Sequence, residues 1–168
     1  MEFDIIKSLV NEYTHECAST RKMLERVPMD KLDWQPHEKS MKLEMLATHI
    51  AEIPSWVSSV INLSELDFAK TPYVPQNVST AEALLKIHDE ATTDALLSIK
   101  NTNADVLKND TWTMRNGDII YFTMPKIAVL RTWAFNHLYH HRGQMSVYLR
   151  LLNIPVPGIY GPSADEQG

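Results

Sequence analysis

Asn136-His137-Leu138-Tyr139-His140-His141-Arg142-Gly143-Gln144 lies inside a long run of helical periodicity. Ile127, Leu130, Ala134, His137, His141, Gln144, Tyr148 and Leu151 recur at spacings of three and four. That spacing predicts one unbroken helix from near Thr123 to about Leu152, with Pro125 tolerated in its first turn. His137 and His141 then share one face, one turn apart. Burying two imidazoles costs desolvation unless both are satisfied, and one metal ion satisfies both at once. The arrangement is that of the two His in H-E-x-x-H helices. The Glu of that motif is missing here, so a protease reading is poor.

A third ligand has to come from another helix, and His49 is the best candidate. It sits mid-helix with Leu46, Ile50 and Ile53 around it, which turns it toward the interior. A single His on an apolar stripe is more often a core histidine bonded to a neighbour. Two on one stripe change the balance. Three neutral imidazoles with an open position form a known catalytic metal arrangement. The spacing alone does not choose between zinc, nickel, iron and manganese, because imidazole suits several of them.

His140 competes for a ligand role, but it falls about 60° from His137 by the 3.6-residue period. It is therefore assigned to the surroundings of the site, to an interface or to solvent. Gln144 follows on the ligand stripe and either orients a ligand or bonds to a neighbouring helix. Tyr148 and Trp56 are candidates for a pocket wall, although aromatic residues at this spacing are more often plain core. Arg142 points roughly away from the seam and reads as structural. His15, His37 and His88 read as surface residues, with His15 also able to line the site. Cys17 is the only cysteine. It reads as a buried, inert thiol and excludes an intramolecular disulfide framework.

Working outward, three further helical segments precede this one. The first runs from about Phe3 to Arg26 and stops at Pro28. The second starts near Ser40 as N-cap, is kinked or interrupted by Pro54, and leads into a proline-rich loop through Pro72 and Pro75. The third opens with the capping-box signature Ser79-Thr80-Ala81-Glu82 and continues to Ile99. Between the third and fourth, Asn116-Gly117 separates two short β-prone runs and predicts a small hairpin. The fold expected is all-α: a four-helix bundle with a small hairpin or loop before the last helix, in one domain over residues 1–168.

Bulk composition narrows the function. The 168 residues are 44% hydrophobic and 22% charged, with a formal net charge of -5. No Lys/Arg cluster suggests nucleic-acid binding. No apolar run is long enough to span a bilayer. Met1-Glu2-Phe3-Asp4 lacks the basic and apolar regions of a signal peptide. The lone cysteine fits a reducing compartment, and the expected location is the cytoplasm.

These residues together resemble the DinB/YfiT-like family of damage-inducible four-helix-bundle metalloproteins. The resemblance rests on Leu46-Ala47-Thr48-His49-Ile50-Ala51, on the His137 to Gln144 string with the Asn before it, and on Val147 through Pro157. The ending from Ile159 to Glu166 is also similar to that of one branch. The resemblance implies an up-down-down-up bundle and puts His49, His137 and His141 at three metal-ligand positions. It further implies a homodimer and, by analogy with characterised relatives, a metal-dependent S-transferase. Such an enzyme joins a low-molecular-weight thiol to an electrophile. A metal-dependent hydrolase is the alternative, and a non-catalytic stress-response bundle with a structural metal is another. The expected cofactor is a divalent metal, zinc or nickel before iron or manganese, together with the thiol. The expected partner is a small-molecule substrate.

Overall fold

The computed structural model describes residues 4–166. Helix α1 spans Ile5–Leu24, and the Asp4 carboxylate caps it by accepting from the Lys7 backbone N–H at 3.0 Å. The expected start at Phe3 lies outside the described residues. A 3₁₀ turn, Met29–Lys31, leads to α2 (Leu43–Glu52) and α3 (Pro54–Asn62). Ser40 is not the cap of α2: Lys42 holds that position without a side-chain bond. Pro54 opens α3, and Ile53 keeps helical dihedrals at φ -51° and ψ -37°. The proline therefore splits the segment without unwinding it, because its missing N–H falls where a helix start leaves that group unpaired anyway.

Helix α4 covers Ala81–Asn101, with Thr80 rather than Ser79 as its cap; the Thr80 hydroxyl accepts from Ala83 N–H at 3.1 Å. The short α5, Ala104–Asn109, follows. The last helical stretch begins with α6 (Lys126–Val129), passes through a π-helical segment at Leu130–Phe135, and ends with α7 (Asn136–Leu151).

The all-α expectation is overturned by a three-stranded mixed sheet. It is made of β1 (Glu65–Asp67), β2 (Thr111–Asn116) and β3 (Ile119–Pro125) in that order. Strands β2 and β3 form an antiparallel hairpin turning at Gly117, whose φ of +58° favours a residue without Cβ. Strand β1 adds in parallel, pairing Glu65 with Thr113 and Asp67 with Arg115. The Asp67 carboxylate accepts from the backbone N–H of Gly117 at 2.9 Å and of Ala69 at 3.1 Å. That bond ties the hairpin turn to β1. The fold is not a pure bundle, because the sheet enters the core: Trp112 of β2 is fully buried against Trp133. Thr123 and Pro125 belong to β3, so the last helix starts later than its periodicity implied.

Helices α1, α2 and α3 all pack on α4, and α2 and α1 also meet α7. Leu46, Ile50, Leu84, Ile99, Leu138 and Leu149 are buried between them. Contact between α2 and α7 is what brings His49 to the other two histidines.

Candidate metal centre

His49 projects from α2, and His137 and His141 project from α7. The Nε2 atoms of His49 and His137 are 3.0 Å apart, and those of His141 and His137 are 2.8 Å apart. Two nitrogens each about 2.0–2.1 Å from one zinc ion stand roughly 3 Å apart or slightly more. The spacing therefore fits a shared ion. Among the described residues, these three form the group of His, Cys, Asp or Glu side chains close enough to hold one.

Protonation makes the fit more specific. The side-chain oxygen of Gln144 is 2.7 Å from His141 Nδ1. An amide oxygen only accepts, so the proton sits on Nδ1 and His141 Nε2 presents a lone pair to the centre. Burial first, and the neighbouring His141 second, push His49 down to about 4. Burial and the other rings push His137 to about 4 as well. His141 is also shifted down, chiefly by burial. Near neutral pH the three rings are uncharged. One ring nitrogen carries either a proton or one in-plane lone pair. His137 Nε2 thus cannot make two full hydrogen bonds to its two neighbours, whereas a cation would engage all three nitrogens.

The surroundings differ from residue to residue. Trp56 lies edge-on to both His49 and His137, with centroids at 5.4 Å and 4.9 Å. Gln144 bonds His141, the orienting role open to it in the sequence. His140 is exposed, with its ring 4.9 Å from that of His141, and stands outside the three-nitrogen group. Tyr148 is not at the centre: it is buried, donates to the Met41 carbonyl at 3.0 Å, and packs edge-on to Trp34.

A family-wide sequence model, described as the DinB family, matches residues 3–167. The chain belongs to the DinB family. The Bacillus subtilis protein YrdA, described as uncharacterized, is 23% identical over 98% of this chain and 93% of its own length. A DinB-like protein of Bacillus cereus has a crystal structure that matches with a TM-score of 0.70 at 25% identity. The match covers 95% of this chain and all of that one. The DinB-like protein YjoA of Bacillus subtilis shares the fold, with a TM-score of 0.70 at 18% identity over 96% of this chain and 99% of its own.

His88, Glu52 and Tyr73 escaped the sequence reading of this DinB-family chain. His88 is buried, with Nε2 3.0 Å from the Cys17 carbonyl. It falls on the same α4 stripe as Leu84 and Ala95, a signal the helical period carried. Arg142 is also buried, in a 2.6 Å ion pair with Glu16 and a 2.6 Å hydrogen bond to the Tyr160 hydroxyl, which anchors the C-terminal segment. His15 and His37 are exposed. Cys17 is buried, and burial pushes its thiol up to about 12, which disqualifies it as a nucleophile at neutral pH. Glu52, one turn beyond His49, accepts from the Tyr73 hydroxyl at 2.6 Å and from Gln76 N–H at 3.1 Å. It thereby ties the loop after β1 to α2, the helix that carries His49. A Glu in an apolar helix was its one sequence signal; Tyr73 gave none.

Proposed function

We propose that this protein binds a divalent metal ion through His49, His137 and His141 and acts as a metal-dependent S-transferase. The observation that carries the metal reading is His137 Nε2, which faces two other imidazole nitrogens at 3.0 Å and 2.8 Å. Three neutral imidazoles give a site that retains positive charge and has room for further ligands. A divalent ion bound there would lower the pKa of a thiol or water that joined it. Zinc and nickel suit the donor set best, with iron and manganese next.

The chain's own residues hold and orient. Gln144 fixes the tautomer of His141, Trp56 walls the His49 and His137 rings, and Glu52 ties down the loop after β1. In the reaction proposed, a thiol and an electrophile form one C–S bond. The C–leaving-group bond breaks, the leaving group takes the electron pair, and the thiol proton goes to solvent. Among the described residues no carboxylate is hydrogen-bonded to the three imidazoles. This favours a thiolate, which needs little help from a base, over hydrolysis. Closed structural zinc sites are four-coordinate. Here two cavities border His49, which supports an open centre over a structural staple.

The test is metal analysis of protein purified without metal-affinity resin, followed by a panel of small thiols with a chromogenic electrophile. About one equivalent of metal and thiol-dependent product formation are expected. Full metal content without any thiol-dependent turnover would leave the metal reading standing and remove the transferase.

A further inference from the structure

The two cavities beside His49 are both largely apolar but differ in charge: no charged residue borders the first, and Glu44 borders the second. The first encloses about 430 Å³ between α3, the loop after β1 and strand β2. Trp56, Trp133, Leu66, Phe68 and Met114 form much of its lining, the hydroxyls of Ser55, Ser59 and Thr71 also border it, and no Asp, Glu, Lys or Arg lines it. Trp56 and Trp133 stack at 4.4 Å with an interplanar angle of 9°, so each ring holds the other in place at the edge of the cavity. Trp112 backs Trp133 from the core at 5.0 Å. The second cavity, of about 400 Å³, is bordered by Glu44, Gln76 and Asn77 but equally by Met41, Met45 and Pro75. His49 and Tyr73 line both.

Tyr73 is the partition. Its hydroxyl donates to Glu52, and Glu52 follows His49 by one turn on α2. The ring is therefore held by the helix that also carries a member of the metal centre. Desolvation decides what the first cavity accepts. A charged group placed among the tryptophans would lose its water and find no counter-charge, whereas an apolar ring would lose only unfavourable hydration. Volume agrees, since small-molecule sites begin near 300 Å³.

We propose that the tryptophan-lined cavity seats an uncharged apolar group of the electrophilic substrate, with its reactive end toward His49. The assignment of the electrophile rests on the transferase reading; occupancy of the cavity by an aromatic compound does not.

The experiment uses the protein as purified with its metal, and p-nitrotoluene as the probe. Binding is read by calorimetry and by saturation-transfer NMR. Ser59→Phe, from α3, and Val74→Trp, from the exposed loop, add bulk to the cavity, while Glu44→Gln alters the other side. Circular dichroism identifies the folded variants. Wild type and Glu44→Gln are expected to bind alike, with affinity falling at least five-fold in a folded cavity-filling variant. No binding by wild type overturns the proposal. So does unchanged affinity in both cavity variants, or an equal loss in Glu44→Gln. Protein stripped of metal should still bind the probe. Binding without thiol turnover therefore refutes the transferase alone, and turnover without binding refutes the cavity assignment alone.

Discussion

His137 is the residue on which the centre turns, because its Nε2 is the common neighbour of the other two rings. Its partners are held less directly than the distances suggest. Gln144 is exposed, yet its amide fixes the His141 tautomer. Such partners of metal-bound histidines typically contribute about 10–100-fold in metal affinity. Gln144→Ala should therefore keep the fold and weaken metal binding by roughly that factor, read by competition with a chromogenic chelator. His141→Ala should go further and abolish metal retention and turnover while leaving the helical circular dichroism signal. The buried hydrophobic contacts continue on both sides of the site, from Leu130 to Leu149.

Acid acts on the same residues with a definite sign. His49 and His137 titrate near 4 in the folded protein and near 6.5 in an unfolded chain. Between those values the unfolded state binds more protons, so stability falls as pH falls through that window. The metal-free protein should melt progressively earlier from pH 6.5 toward pH 4, as followed by thermal scans. His137→Ala should flatten this dependence, since it removes one titrating ring and relieves its neighbours.

At the scale of elements, a π-helical segment interrupts what the periodicity read as one unbroken last helix. Asn136 N–H bonds to the Arg131 carbonyl, five residues back instead of four. One additional residue in a turn shifts the phase of everything that follows, and such insertions are frequent at functional sites. Leu130 and Ala134 are buried, as the stripe implied, but the face carrying His137 is set by the altered turn. Strand β2 makes the second point. Trp112 is fully buried, so the sheet is part of the core. Trp112→Ala should cost about 3–5 kcal/mol, measured by denaturant unfolding. It should also loosen the Trp133–Trp56 stack, visible as a change in tryptophan emission.

For the whole molecule, the exposed side of α7 is the surface to explain. Val147 and Leu151, one turn apart, are each 56% exposed. Nothing lies within 4 Å of a Cβ added at Gly143, so no helix of the same chain uses the close approach that glycine permits. Trp133 does not join this surface, because it stacks on Trp56. We expect a homodimer formed through α7, with a light-scattering mass twice the 19.2 kDa of the chain. Leu151→Glu should then yield monomer at micromolar concentration. Wild type at the single-chain mass would rule this interface out. No helix among the described residues is long and apolar enough to cross a membrane.

What the sequence determined by itself is what local chemistry and period encode. The spacing of His137 and His141 put two imidazoles on one face, the apolar neighbours of His49 turned it inward, and Asn116-Gly117 marked a turn. What it left undecided depended on contacts between distant segments. Strand β1 is three residues long and exists only because β2 offers it a free edge. No periodicity is readable in so short a stretch, so the all-α expectation followed. Tyr73 becomes a wall of the site only through Glu52, 21 residues away, and Arg142 finds its counter-charge in Glu16 on α1. The three ring nitrogens meet because α2 packs on α7, a contact set by burial of apolar surface. That force has no direction of its own, so the tertiary fold alone aims the imidazoles at one point.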